Sequence, residues 1–358
     1  MKINFTPGPS QLYPTIPWHV KVAFKTDVPS ISHRSKEFES FYAEAVSNLR
    51  ELFQIPGNFT IVFTASATEI WERSIQSLVV SESLHYVNGA FSKKYFEIAQ
   101  QLNRKPIKIE VKDGDSFHNI EMPKVNPELV ALTHNETSTG VSLSTEFIHS
   151  FRDKFPNAII SVDAVSSLPY PKFDFSKIDL LYFSVQKGFG LPAGLGVWIV
   201  NEKCVAKADD LLSKGHSVGS YHSLPSLISM TTKNQTPETP NVLGIYLLAK
   251  VTGDFLQRGI TSIRQETSYK AALLYQALED SGYAKPFVKS AEDRSQTVIV
   301  AETGEHTKAI TEALQEKWLY PGDGYGKAKA TQLRFANFPA HSKEQYELLV
   351  DSLSTLRF

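Results

Sequence analysis

Seven short β-branched or aromatic runs, separated by stretches of helical period, predict an α/β protein. Its core is a mostly parallel seven-stranded sheet covered on both faces. A change of pattern after Cys204 adds a smaller C-terminal α+β domain beginning near residue 257. The runs span 60–64, 84–87, 106–111, 129–133, 158–162, 180–184 and 196–200. Helical patterns lie between them at 38–52, 69–79, 93–102 and 144–155. In the first of these, Phe41, Ala45, Val46 and Leu49 recur on one helix face. Beyond Cys204, 243–256 and 263–278 read as two long helices, the second ending near Gly282. A strand–helix–strand–helix set follows at 296–301, 306–317, 332–335 and 343–356. Gly-Asp-Gly-Tyr-Gly at 322–326 is expected to be a flexible loop. Neither it nor 188–196 carries the G-x-G-x-x-G between strand and helix that marks a dinucleotide site.

Composition narrows the function classes. The 358 residues carry 37 Lys+Arg against 38 Asp+Glu, a formal charge of −1, with 42 % hydrophobic and 21 % charged residues. That is an ordinary globular balance, and disorder is excluded as the main state. With no cationic excess to release counterions, nucleic acid is not an expected partner. The single cysteine, Cys204, excludes an intramolecular disulfide and a thiolate-rich metal site. His216 and His222 have no acidic or cysteine partner at ligand spacing, so no metal is expected. Pro7 and Pro9 interrupt the N-terminus before an apolar signal region forms, and no run approaches the roughly 18 apolar residues of a membrane span. The expectation is a cytoplasmic protein without a membrane partner.

The residues with most chemical content sit where predicted strands end. Asp163 lies in Ser-Val-Asp-Ala-Val-Ser-Ser (161–167), and Lys187 follows 24 positions later in Ser-Val-Gln-Lys-Gly-Phe-Gly (184–190). The carboxyl edge of an open parallel sheet is where ligands bind. An acid and a lysine on neighbouring strand ends suit a carbonyl cofactor held as a Schiff base, with the carboxylate on its ring nitrogen. Pyridoxal phosphate needs that pair; a plain salt bridge is the alternative. Thr-Ala-Ser-Ala-Thr (64–68), between a strand and a helix, suits an anion at a helix N-terminus or a simple N-cap. Phe91, after another strand, suits either stacking on a planar ring or the core. A third polar cluster, His-Asn-Glu-Thr-Ser-Thr-Gly (134–140), closes the run ending at Thr133.

These motifs together resemble the fold-type I, class V pyridoxal-phosphate aminotransferases, the group that includes phosphoserine and alanine/serine–glyoxylate aminotransferases. The resemblance extends from Phe-Thr-Pro-Gly-Pro (5–9) to Arg334 and rests on His33-Arg34, Asn-Glu-Thr (135–137), Val-Asp-Ala-Val-Ser-Ser (162–167), Gln186-Lys187 and Pro-Ala-Gly-Leu (192–195). It implies a large cofactor domain over 16–256 and a small domain from 1–15 with 257–358. By the same resemblance, Lys187 carries pyridoxal 5'-phosphate as the Schiff base and Asp163 pairs with the ring nitrogen. Ser66, Ala67, Thr68 and Gln186 hold the phosphate, Thr137 the ring hydroxyl and Phe91 the ring face. Arg334 binds the substrate carboxylate. Thr236 or Thr239 reaches the cofactor of the other subunit, which implies a homodimer with shared sites.

The implied reaction is ping-pong transamination between an amino acid and a 2-oxo acid, with phosphoserine and 2-oxoglutarate, in serine biosynthesis, as the nominal pair. His33 and Arg34 are then candidate anchors for the substrate phosphate, or else form an ion pair with Glu37 or Glu39 at a helix start. Two features stand against a phosphate. Glu69 occupies the place of an arginine of that branch, and only Lys327 and Lys329 stand where that branch has a His-Arg pair. Alanine/serine–glyoxylate transamination is the alternative. A cysteine desulfurase is disfavoured, because Cys204 lies far from Arg334 in sequence.

Overall fold

The computed structural model describes residues 2–118 and 120–358. The chain begins β1 (Ile3–Phe5), α1 (Ile16–Lys25), α2 (Lys36–Phe53), β2 (Phe59–Thr64), α3 (Ala67–Leu78), β3 (Glu82–Val87), α4 (Ala90–Gln101), β4 (Lys105–Glu110) and β5 (Leu129–Thr133). A short ladder of β6 (Asn135–Glu136) and β7 (Val141–Ser142) leads to α5 (Thr145–Lys154), β8 (Ile159–Asp163), β9 (Leu180–Ser184) and β10 (Gly196–Asn201). Then come α6 (Glu202–Ser213), α7 (Leu224–Thr231), α8 (Val242–Arg258) and α9 (Ile260–Asp280). The chain ends with β11 (Lys285–Pro286), β12 (Val298–Glu302), α10 (Thr307–Glu316), β13 (Leu319–Asp323), β14 (Gln332–Ala336) and α11 (Lys343–Ser354).

The large sheet has seven strands in the order β2-β10-β9-β8-β5-β3-β4. β4, β3, β5, β8 and β9 pair in parallel, and β10 runs antiparallel to both β9 and β2. Two reversals leave β2 pointing the same way as β9, so the chain leaves β2, β3, β5, β8 and β9 at one edge. The strands alternate their side chains between two cores, as a sheet buried on both faces must. Val130, Leu132, Ile160, Val162, Leu181 and Phe183 face one core, to which α2 and α8 contribute Leu49 and Leu248. Leu129, Ala131, Ile159, Leu180 and Tyr182 face the other, with Ile75 of α3, Ala99 of α4 and Cys204 of α6. Each such Leu, Ile or Phe stabilises the fold by about 1.5–3 kcal/mol relative to exposure.

The second sheet has the order β1-β13-β14-β12-β11 and packs Ile3, Phe5, Ile299, Leu319, Leu333 and Phe335 against Leu274, Ile310 and Tyr346. The segment expected as a flexible loop is structured. Residues 322–326 are not free loop: Gly322 and Asp323 pair with Arg334 and Leu333, and a tight 3-10 turn begins at Gly326. β1, β13, α1, α6 and α7 were not anticipated from the sequence pattern.

Candidate active site

Asp163 ends β8 and Lys187 follows β9, its neighbour, so both buried side chains meet at the same sheet edge. The Asp163 carboxylate accepts from the Trp71 indole N–H at 3.0 Å and the Val165 N–H at 2.9 Å. Burial pushes its pKa up; these two donors and the nearby Lys187 charge oppose the rise. Burial pushes the Lys187 amine down, with Asp163 and Glu136 opposing and Arg334 assisting. A depressed lysine is partly free base near neutrality and so nucleophilic. Among the described residues its hydrogen bond goes to Thr137 Oγ1 at 2.9 Å.

Thr137 also ties the lysine to the small sheet. Its carbonyl accepts from Arg334 Nη1 at 3.2 Å, while Arg334 Nε donates to the Asp323 carbonyl at 2.7 Å. Phe91 lies with its ring centroid 5.2 Å from Lys187 Nζ. Tyr325 contacts both Phe91 and Arg334, 5.1 Å from the Phe91 ring and 5.5 Å from the Arg334 guanidinium carbon. The N-terminal segment closes the other side. Ser10 N–H donates to the Gln186 carbonyl at 3.1 Å, and a Cβ on Gly8 (φ +128°) would come within 2.8 Å of Lys187 Cε. Only glycine fits that close, left-handed passage.

The start of α3 forms the anion-receptive corner. Ser66 is its N-cap, with Oγ accepting from Glu69 N–H at 3.1 Å, so the hydroxyl expected to meet a phosphate already caps the helix. Ala67 N–H is likewise engaged, by Ser184 Oγ at 2.8 Å. Thr68 is exposed at the second helical position, where a helix leaves its N–H without an internal partner. Gln186 is half-buried beside the lysine.

Sequence reasoning left Glu136 without a role, yet it is fully buried and organises the site. Its carboxylate accepts from Phe91 N–H at 3.3 Å, Ser92 N–H and Oγ at 2.9 Å, Ser138 N–H at 3.1 Å and Ser138 Oγ at 2.6 Å. It thus neutralises the positive end of α4 and fixes Phe91. A Cβ on Gly89 would lie 2.4 Å from Glu136 Cγ, so that glycine makes the approach possible. Glu136→Ala leaves several buried donors unpaired. We expect it to lower the unfolding free energy by about 3 kcal/mol in urea titration, and a loss under 1 kcal/mol would contradict this account.

The structure also shows where Glu69 goes. One carboxylate oxygen accepts from Ala65 N–H at 2.8 Å and the other meets His222 Nδ1 at 2.6 Å. His222 Nε2 lies 3.0 Å from Glu238 Oε2. His222 lies in a turn but is buried between two carboxylates that are distant from it in sequence, so no ligand spacing revealed them. Arg34 forms no ion pair with Glu37 or Glu39. Its guanidinium donates to Gln235 Oε1 and the Thr236 carbonyl at 2.8 Å and to the Pro237 carbonyl at 3.2 Å, while Lys36 takes Glu39. His33, half-buried, has its pKa lowered by burial and by the Arg34 charge. Thr236 is buried with its hydroxyl on the Glu238 carbonyl at 2.8 Å, whereas Thr239 is exposed. The segment 33–34 and the segment 235–239 therefore form one patch, distinct from the contacts of Lys187. Cys204 is buried in the α6 core, where burial pushes the thiol up and disfavours the nucleophilic thiolate.

The donor set fits pyridoxal 5'-phosphate. An amine and an acid are buried side by side, an aromatic face flanks the amine, a helix start lies at the same edge, and a guanidinium is held a single residue away from the lysine. Comparisons with known proteins agree. The model of the family "Aminotransferase class-V" matches residues 21–319. A crystal structure of a phosphoserine aminotransferase from Cytophaga hutchinsonii is 51 % identical, covers 98 % of each chain and superposes with a TM-score of 0.96. A phosphoserine aminotransferase from Rhodococcus opacus is 29 % identical over 98 % of this chain and 94 % of its own. An alanine–glyoxylate aminotransferase from Nostoc sp. is 22 % identical, covering 99 % of this chain and 94 % of its own with a TM-score of 0.82, and it shares the fold. The chain belongs to the class-V aminotransferases, a family that implies pyridoxal phosphate as cofactor.

Proposed function

We propose that the protein is a phosphoserine:2-oxoglutarate aminotransferase that uses pyridoxal 5'-phosphate at Lys187 and acts as a cytoplasmic homodimer. The observation that carries the chemistry is the convergence of Lys187 and Arg334 on the two ends of Thr137, with Asp163 buried beside the lysine. The full-length likeness to the Cytophaga phosphoserine aminotransferase supports the substrate. So does the pairing of Glu69, whose charge is taken up by His222 and the Ala65 N–H rather than left facing a phosphate.

Bound cofactor supplies the electron sink that makes an amino-acid Cα–H acidic. Asp163 would accept a hydrogen bond from the protonated ring nitrogen, with Trp71 holding the carboxylate in place. Arg334 takes the substrate α-carboxylate with its planar fork, which orients Cα–H toward the lysine. Lys187 Nζ, as a free amine beside the substrate, would accept the Cα proton as general base and donate it back as general acid. Phe91 flanks the ring, and Thr137 and Ser66–Thr68 complete the polar contacts, Ser66 and Ala67 after exchange of their present partners. His33, Arg34 and Thr239 serve the site of the second subunit. The exposed Trp18 and Phe24 of α1 offer apolar area that a second copy can cover.

Arg334→Lys keeps the charge but loses the fork. It is expected to raise KM for the amino acid about tenfold or more with a smaller change in kcat, read from initial rates; an unchanged KM would remove Arg334 from carboxylate binding. The reading as a whole is tested by single-turnover absorbance of the holoenzyme with phosphoserine, glutamate, alanine and serine. Conversion by phosphoserine and glutamate but not alanine is the expected outcome. Conversion by alanine or serine with phosphoserine inert would move the substrate to the glyoxylate branch.

A further inference from the structure

We propose that His222 is a positioning residue for cofactor retention: its imidazolium clamps Glu69, on the helix whose start receives the cofactor phosphate, to Glu238, in the segment that carries Thr239. The proposal rests on the cofactor reading above.

Glu69 sits at the third position of α3, immediately behind Ser66, Ala67 and Thr68. An isolated carboxylate there would repel a phosphate arriving at the same helix start. His222 offsets that charge through a hydrogen bond at 2.6 Å, and its Nε2 lies 3.0 Å from Glu238 Oε2 as an ion-pair contact without hydrogen-bond alignment. Its backbone is held at φ +51° and its ring stacks on Tyr221 at 4.0 Å, so the imidazole is fixed rather than free to swing. The groups facing the cluster come from several elements. Arg73 of α3 donates to the Tyr221 carbonyl at 3.4 Å and pairs with Glu72, while His33 and Tyr42 lie near Glu238. Arg73 also lends positive charge to Glu69, but it is itself paired with Glu72, and among the described residues His222 is the cation in contact with both carboxylates.

The cluster carries a net charge of −1 when His222 is protonated and −2 when it is neutral. Burial favours neutral imidazole, but the two carboxylates prevail and raise the pKa from 6.5 to about 9. The stabilisation is complete below the ordinary histidine pKa and is lost as pH rises through about 9. Losing it places one further negative charge near the phosphate.

The test compares cofactor dissociation constants of wild type and His222→Gln, measured on the purified holoenzyme by absorbance between pH 7 and 10. Titration of Lys187 affects both proteins and cancels in their ratio. At pH 7 the variant is expected to hold cofactor about tenfold more weakly, because it lacks the positive charge that offsets Glu69 at the start of α3. That ratio should fall toward one by pH 10. Glu238→Gln removes one carboxylate and should move the wild-type inflection to lower pH, an independent reading if the histidine variant folds poorly. A ratio constant with pH, or an inflection unmoved in Glu238→Gln, would overturn the role of His222. Wild-type protein that holds no cofactor at pH 7 would overturn the site reading and this role with it.

Discussion

Replacing Lys187 by alanine is expected to lower transamination roughly ten-thousandfold or more while leaving the fold intact. The loss combines two functions of one amine, nucleophile and proton carrier, and the second alone contributes about 10²–10⁴-fold in comparable chemistry. No other group in the described structure can take over. Thr137 Oγ1, the lysine's hydrogen-bond partner, is a far weaker base, and the Arg334 guanidinium keeps its protons. Alanine leaves a cavity the length of the lysine stem beneath Gly8, so added small primary amines should restore part of the rate. Initial rates with phosphoserine and 2-oxoglutarate, with circular dichroism as the folding control, decide the matter. A variant within tenfold of wild type would rule Lys187 out as the reacting amine.

Asp163→Asn should cost roughly a hundredfold to a thousandfold in kcat, the scale on which removing one preorganised electrostatic contact acts. Both carboxylate oxygens already accept, one from Trp71 and one from Val165. An amide offers an acceptor to only one of them and turns its NH2 against the other. The variant thus loses the negative charge that holds a ring nitrogen protonated and adds an unsatisfied buried donor, expected to lower stability by about 1–3 kcal/mol. Activity should fall more steeply than cofactor content, because the phosphate and ring contacts remain. A variant that keeps its cofactor and its full kcat would contradict the assigned role of Asp163.

Much of the large sheet was legible because its strands are buried on both faces and read as continuous apolar runs. Leu-Val-Ala-Leu-Thr of β5 and Leu-Leu-Tyr-Phe-Ser of β9 are fully buried. Asp163 and Lys187 were legible for the same reason, as polar residues at the ends of such runs. The second sheet was harder. β1 is three residues long, and its partner β13 contains Pro321 and Gly322, which read as turn residues. The two pair only because the chain returns more than 300 residues later to place Ile3 opposite Leu319. Contacts of the same long-range kind hid the rest of the site. The Trp71–Asp163 hydrogen bond and the Glu69–His222–Glu238 cluster join residues on separate elements, with no local spacing to reveal them. Glu136 was visible in the sequence, but its burial against the start of α4 depends on the close approach at Gly89.

The central claim is that Lys187 is the amine that carries the cofactor, and Lys270 provides an internal control. Lys270 is also buried, with its pKa lowered by burial to about 8, but its ammonium donates to the His341 carbonyl at 2.6 Å and the Phe338 carbonyl at 3.3 Å. Those carbonyls, in the segment between β14 and α11, hold it on α9. Borohydride reduction of the holoenzyme followed by peptide mass spectrometry locates the linkage directly. The expected result is a single pyridoxyl group on the peptide containing Lys187. A label on Lys270, or the same label persisting in Lys187→Ala, would contradict the claim.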